Sequence, residues 1–281
     1  MIVRLMGGLG NQLFQVAAGC YVARVHGRRV RYETSWYAGD SGSDTPRDLE
    51  VAAILRDGEH VRLPAPAARV AYSTRNPFLR RQSAAEDDVL AAAGSGTRCL
   101  EGYFQRAAYP LAVRDDLAAR ILPVLAGIAP LSSTHGALGL HIRLGDYHAN
   151  AATRAHHGVT GVSYYRTAVE ELTRRHDYSR LVVITDTPQV AAREYLPHLP
   201  LPAEIIAGRS AWETLADLAG CAGLVMANSS LSWWAGFVAT ALQRRNAVVV
   251  KPAPWFGAPS PSDRLLSIDG WLERDRTAVL V

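Results

Sequence analysis

Asn228, Ser229 and Ser230, with Ser232 two positions on, stand where an apolar run ends and a helical pattern starts. Ala222 to Met226 reads as a buried strand. Leu231, Trp234, Val238 and Leu242 recur at three- and four-residue spacing, the period of a helix packed on one face. Small polar side chains at such a turn gather hydroxyls, unpaired backbone N–H groups and the positive end of a helix dipole. That combination holds phosphate. An ordinary helix cap that binds nothing uses the same residue types, so the run Ala227 to Trp234 needs supporting groups nearby.

Such groups end other apolar runs. His141-Ile142-Arg143-Leu144-Gly145-Asp146-Tyr147 closes a stretch that reads as strand, with His141, Arg143 and Gly145 alternating onto one face if the strand continues. The planar fork of Arg143 suits a diphosphate. Asp146 can orient Arg143, orient a hydroxyl or accept a proton. A surface Arg–Asp pair of little energetic weight is the plain alternative. Asp186 follows a third apolar run, 181–185.

The elements that must position these groups alternate regularly. Strands are expected at 137–143, 181–185, 203–207, 223–227 and 247–251, and helices at 163–176, 188–196, 211–220 and 229–243. Ser210 with Glu213 three residues on reads as a capping box. Five strands alternating with four helices imply a parallel sheet covered on both faces, whose ligands collect beyond the carboxyl ends of the strands. The clusters at Arg143 to Tyr147, Asp186 and Asn228 to Ser232 fall there.

The first half opens with a βαβ unit: strand Ile2 to Met6, a tight loop Gly7-Gly8-Leu9-Gly10-Asn11, helix Gln12 to His26 stopped by Gly27, and strand Arg28 to Glu33. Leu13 stands where a dinucleotide fingerprint has its third glycine, and the Gly-Lys-Ser/Thr ending of a P-loop is missing. Residues 39–97 carry short elements near Leu49 to Leu55 and Ala67 to Tyr72; 98–105 reads as strand and 111–122 as helix. Prolines and glycines between Pro123 and Gly136 mark a domain boundary, giving domains 1–135 and 136–281.

Composition narrows the classes. The 281 residues are 48% hydrophobic and 20% charged, an ordinary globular balance. No apolar run approaches the roughly 20 residues that span a membrane, and the start does not resemble a signal peptide. Cys20, Cys99 and Cys221 are scattered, which argues against a disulfide framework or zinc site and for a reducing cytoplasm. The net charge of +4 comes from arginine almost alone, Lys251 being the single lysine. No dense basic tract interleaved with aromatics appears, so nucleic acid is not an expected partner. His156-His157 lack a carboxylate or thiol partner for a metal. Trp233, Trp234 and Phe237 read as helix packing, and the loop Tyr147 to Gly161 as a ligand-binding lid.

Taken together, GGLGNQLFQ at 7–15, HIRLGDY at 141–147 and ANSSLSWW at 227–234 resemble the bacterial α-1,2-fucosyltransferases, inverting GDP-fucose-dependent glycosyltransferases. Gly102-Tyr103-Phe104-Gln105 and Lys251-Pro252-Ala253-Pro254-Trp255-Phe256 match the same family, so the resemblance runs from residue 7 to residue 256. It implies an α/β GT-B-like fold, two Rossmann-like domains facing across a cleft, with the donor held mainly by the second. It implies that His141 and Arg143 contact the donor, that Asp186, Asn228, Ser229, Ser230 and Ser232 line the nucleotide site, and that Gly8, Gly10 and Asn11 reach the reacting centre from the first domain. The implied reaction moves fucose from GDP-fucose to a hydroxyl of a glycan or glycoside acceptor, the 2-hydroxyl of a terminal galactoside. It needs no cofactor and no metal. Arg143 is the diphosphate group and Asp146 the candidate base. The implied location is the cytoplasm, or the inner face of the membrane without an integral segment. Two departures bear on the donor: Leu144 replaces the second arginine of the family's pattern, and Thr187 stands where related enzymes carry a second acid. They keep two rivals open. One is the same scaffold using another GDP-deoxysugar or glycosylating a small natural product. The other is a catalytically silent GDP-sugar-binding protein.

Overall fold

The computed structural model describes residues 1–38, 47–82, 96–129, 131, 134–144, 158, 160–257 and 261–277. The chain divides into two units, Met1–Val124 and Leu125–Val281. The division falls inside the stretch 123–136 that prolines and glycines mark. Each unit is an α/β body built on its own parallel sheet, as two Rossmann-like domains require.

In the first unit, β1 (Ile2–Arg4), β2 (Arg31–Glu33), β3 (His60–Val61), β4 (Leu79–Arg81) and β5 (Cys99–Glu101) lie in the order β3-β2-β1-β5-β4. All neighbouring pairs are parallel. The opening βαβ unit forms, but its helix, Leu9–His26, starts before the expected Gln12. Gly10 and Asn11 therefore sit in the first helical turn rather than in a loop. Gly8 is the N-cap and has no side chain to offer; Glu50 Oε2 accepts the Leu9 N–H instead, at 2.7 Å. A cap that arrives from 41 residues away leaves no local signature. The strand expected over 98–105 ends at Glu101, short of Phe104, whose φ is 50°. The helix expected at 111–122 is two helices, Ala108–Ala112 and Arg114–Ala126.

The second unit holds β6 (Leu138–Ile142), β7 (Leu181–Thr185), β8 (Ala203–Ile206), β9 (Gly223–Val225), β10 (Val248–Ala253) and β11 (Leu272–Asp275), in the order β11-β10-β9-β6-β7-β8. Five of these were expected. β11, Leu-Glu-Arg-Asp, is an edge strand with alternating exposure and too little apolar content to read as one. The chain moves outward from β6 through β7 to β8 on one side and from β9 through β10 to β11 on the other. The reversal between β6 and β9 is the switch point at which such sheets bind ligands. Helices Val162–Arg175, Ala211–Gly220 and Ser230–Phe237 cover the sheet, the last continuing as a wide turn over Val238–Leu242.

β6 is buried along its whole length. Leu138, Leu140 and Ile142 pack with Tyr164, Tyr165, Val169 and Leu172 of the helix Val162–Arg175. Each large apolar side chain removed from water there contributes about 1.5–3 kcal/mol, so the strand that ends at the site is firmly held. Trp233, Trp234 and Phe237 are fully buried in mutual contact, which makes them packing rather than a stacking platform. The three cysteines are free and buried. Among the described residues no helix is long and apolar enough to cross a membrane.

Candidate active site

β6, β7 and β9 end side by side, Ile142 beside Thr185 and Leu140 beside Val225. Just past those ends come Arg143 and Leu144, Asp186, and Asn228 to Ser230. The Arg143 Nε lies 3.1 Å from Asp186 Oδ2, while Asp186 Oδ1 accepts the Leu144 N–H at 3.1 Å. One carboxylate thus fixes both the guanidinium plane and the backbone that carries it. Sequence reasoning offered Asp146 as a partner for Arg143; the described residues supply one from β7. Asp146 lies outside the described residues, as do Gly145, Tyr147, His156, His157 and most of the loop to Gly161. Leu144 is a core residue, 1% exposed, so the position of the missing second arginine faces the protein interior. Thr187 accounts for its own position too: its N–H bonds Thr185 Oγ1 at 3.1 Å and starts the helical turn at Pro188.

His141 is buried, with Nδ1 on the hydroxyl of Ser232 and its carbonyl accepting from Tyr165 OH at 2.7 Å. Burial, then the positive charge of Arg143, holds its pKa down to about 4 against a weaker opposing pull from Asp186. At neutral pH the ring is uncharged. Ser232 is itself fully buried, so this pair ties β6 to the first turn of the helix Ser230–Phe237 from beneath the site.

Asn228 is a second tie. Its Oδ1 accepts from Thr160 Oγ1 at 2.9 Å, and its Nδ2 reaches the carbonyls of Gly158 and Trp255, each at 3.4 Å. Ser229 and Ser230 remain at the half-buried rim. Ser229 is the N-cap, in extended conformation, yet its hydroxyl makes no capping bond. Ser210 is a contrast within the same unit: its hydroxyl accepts the Glu213 N–H and the full capping box forms. Among the described residues no side chain caps the first-turn N–H groups of the helix at Ser230, which start at the strand end next to Arg143. Fixed positive charge and N–H donors at a sheet switch point can hold a diphosphate and stabilise charge that develops on it. Among the described residues no three His, Cys, Asp or Glu side chains cluster as metal ligands.

Gly8, Gly10 and Asn11 belong to the first unit, at the carboxyl end of β1. Gly10 is buried, and Asn11 Oδ1 accepts from Gln105 Nε2 at 2.8 Å. Sequence reasoning missed the residues that hold this turn. Gln12 donates to the carbonyls of Gly7 and Asp48, both at 2.8 Å, and accepts from the N–H groups of Glu50 and Val51. Gln15 links the Met6 N–H to the Gly102 carbonyl at 3.0 Å each. Both are fully buried. Two glutamines set among the apolar residues Leu13, Phe14, Val16 and Ala17 were the available signal.

A model of glycosyl transferase family 11 matches residues 80–262, more than half of the chain. The O-antigen biosynthesis glycosyltransferase WbnK of Escherichia coli is 25% identical over 311 aligned positions, 95% of this chain and 98% of the relative. Among solved structures, POFUT1 in complex with GDP aligns at 9% identity and a TM-score of 0.47 over 89% of this chain and 97% of its own. The fucosyltransferase NodZ from Bradyrhizobium aligns at 15% and 0.45 over 84% and 92%. Likenesses of that degree bear on neither site nor substrate.

Proposed function

The chain belongs to glycosyl transferase family 11, and from that premise we propose that it moves fucose, with inversion, from GDP-fucose to the 2-hydroxyl of a terminal galactoside in an acceptor glycan. One observation carries the donor half of this reading. The uncapped helix start at Ser229–Ser230 and the braced guanidinium of Arg143 stand at neighbouring strand ends of the second unit. The bond from the sugar's anomeric carbon to the diphosphate breaks, and its electron pair leaves with GDP. The sugar passes through a positively charged, oxocarbenium-like state. Arg143 and the helix N–H groups stabilise the charge that grows on the diphosphate, preorganised by Asp186 and by the His141–Ser232 pair. The acceptor hydroxyl attacks from the opposite face and gives its proton to Asp146. No metal takes part in this account. The similarity to an O-antigen biosynthesis glycosyltransferase supports a glycan acceptor. The buried thiols fit a reducing compartment, so the cytoplasm or the inner face of the membrane is the location this reading requires.

Thermal shift with a set of GDP-sugars tests the donor. GDP-fucose is expected to raise the unfolding midpoint more than GDP-mannose or another GDP-deoxysugar. A larger shift with another GDP-deoxysugar moves the donor assignment to it, and no shift with any of them removes the nucleotide-sugar site.

A further inference from the structure

The two ends of the first sheet differ in character. The carboxyl end carries the turn Gly8 to Asn11, and the amino end carries arginine. Register sets the strand starts side by side: Arg31 and Cys99 flank Ile2, and Leu79 stands beyond Cys99. The segments that enter these strands, with the last turn of the helix Leu9–His26, hold Arg24, Arg28, Arg29, Arg31 and Arg98. Arg28 spans this end, its Nη1 donating to the Thr97 carbonyl at 2.6 Å, from the entry of β2 to the entry of β5. The entry to β3 brings the acids Asp57 and Glu59. Arg120 engages both Glu59 oxygens, at 2.7 and 2.8 Å, so Glu59 does not neutralise the cluster. Among the described residues Arg29, Arg31 and Arg98 are exposed and have no carboxylate partner.

Arg29 and Arg31 line a groove of about 590 Å³ with Met1, Gly58 and His60. Gly58 holds φ at 74°, and a Cβ there would lie 2.8 Å from Arg29 Nη2, so glycine makes room for the guanidinium against the backbone. Like charges gathered this closely repel one another, and a surface of opposite charge relieves that repulsion. Apolar side chains stand among them. Phe78, at the entry to β4, is 43% exposed, with the Arg98 guanidinium 4.8 Å from its ring centroid. Val25, in the last turn of the helix Leu9–His26, is 51% exposed. An aromatic ring and an aliphatic side chain set among guanidinium groups suit a membrane–water interface, where the ring sits at headgroup depth and the cations meet lipid phosphates. A free phosphate would engage the arginines alone and leave Phe78 and Val25 in water.

We propose that the amino end of the first sheet docks on an anionic bilayer surface, with Arg29, Arg31 and Arg98 on lipid phosphates and Phe78 at headgroup depth. The contact is peripheral and needs no spanning helix. It turns the carboxyl end of the same sheet, with the turn Gly8 to Asn11, away from the lipid. Docking does not depend on the glycosyl-transfer reading above; it names the surface that would hold the chain at the inner face of the membrane.

Vesicle sedimentation with the full chain, without nucleotide, tests the docking. Phosphatidylcholine vesicles with about 30% phosphatidylglycerol are compared with phosphatidylcholine alone at low salt. Wild type is expected to partition about a hundredfold better onto the anionic vesicles and to lose that gain as salt is raised, which needs no variant. Each basic side chain near such a surface is worth about fivefold, so Arg29→Gln/Arg31→Gln/Arg98→Gln is expected to lose about a hundredfold. Removing the same charge from exposed arginines of the second unit, as Arg174→Gln/Arg175→Gln/Arg193→Gln, is expected to cost less than about threefold. Phe78→Ser, at unchanged charge, is expected to cost about threefold or more. Equal partition onto neutral and anionic vesicles, equal losses in the two triple variants, or unchanged partition of Phe78→Ser overturns docking by this face. Displacement from the vesicles by inorganic phosphate at constant ionic strength would make the groove a site for free phosphate and overturn it too. Calorimetry is expected to give one GDP affinity for wild type and all variants, so a failure of the donor reading shows there and not in the vesicles.

Discussion

Acidification should loosen this protein through one buried ring. His141 titrates at 6.5 in an unfolded chain and at about 4 in the folded one, chiefly because burial disfavours its charged form, with Arg143 adding repulsion and Asp186 partly opposing it. Between those values the unfolded chain binds the proton and the folded chain does not, so stability rises with pH across that window and falls on acidification. Below the folded value both states bind it and the loss from this group is complete. From pH 7 to pH 5 the linkage relation gives a loss of about 2 kcal/mol. Three carboxylates are held low: Glu59 against burial by Arg120, Asp116 against burial by Cys20 and then arginines, and Glu171 by Arg274; they lose their contribution mainly at more acid pH. Burial raises the Glu50 pKa, which acts in the opposite sense. Urea unfolding of wild type and His141→Asn at pH 7 and pH 5 removes these shared effects by difference, since Asn keeps a polar partner for Ser232. Wild type is expected to lose roughly 2 kcal/mol more than the variant between the two pH values. Equal losses would refute the burial of an uncharged His141 beneath the site.

Gln12→Leu strands four backbone groups at once; a stability loss of about 3 kcal/mol or more is expected in urea, with GDP affinity of the folded fraction unchanged. A loss under about 1 kcal/mol would show that the turn does not depend on this clamp. Arg143→Ala should lower turnover by about 10²–10³ and Arg143→Lys should restore little of it, because a point charge does not replace a planar fork. Asp186→Asn should lower turnover and GDP affinity together, since it acts through Arg143; steady-state rates with calorimetry check all three variants. Transfer is expected to persist in EDTA, and activity lost to EDTA and recovered with Mn²⁺ would contradict diphosphate binding by Arg143 and helix N–H groups.

What local pattern could show, it showed. β6, β7 and β9 are largely apolar runs, and the Ser210–Glu213 box places one helix start at its observed position. The polar clusters at the ends of β6, β7 and β9 followed from those strands. Features built by distant partners stayed hidden. Glu50 caps the first helix from another segment, so the sequence alone put the helix start at Gln12. Asp186 reads as one more polar residue after a strand until register sets β7 beside β6 and brings it to Arg143. The bond from His141 to Ser232 spans 91 residues and leaves no local signature. β11 carries three charges in four residues and is a strand only because β10 offers an edge.

The central claim is transfer of fucose from GDP-fucose to a galactoside, and its most direct measurement is release of free GDP. The full chain is incubated with GDP-fucose and a panel of β-galactosides, and the product linkage is read by NMR. Acceptor-dependent release with an α-1,2 linkage is the predicted result. Tight GDP binding with no release above the acceptor-free rate for any galactoside would contradict it and leave a silent GDP-sugar-binding protein in its place.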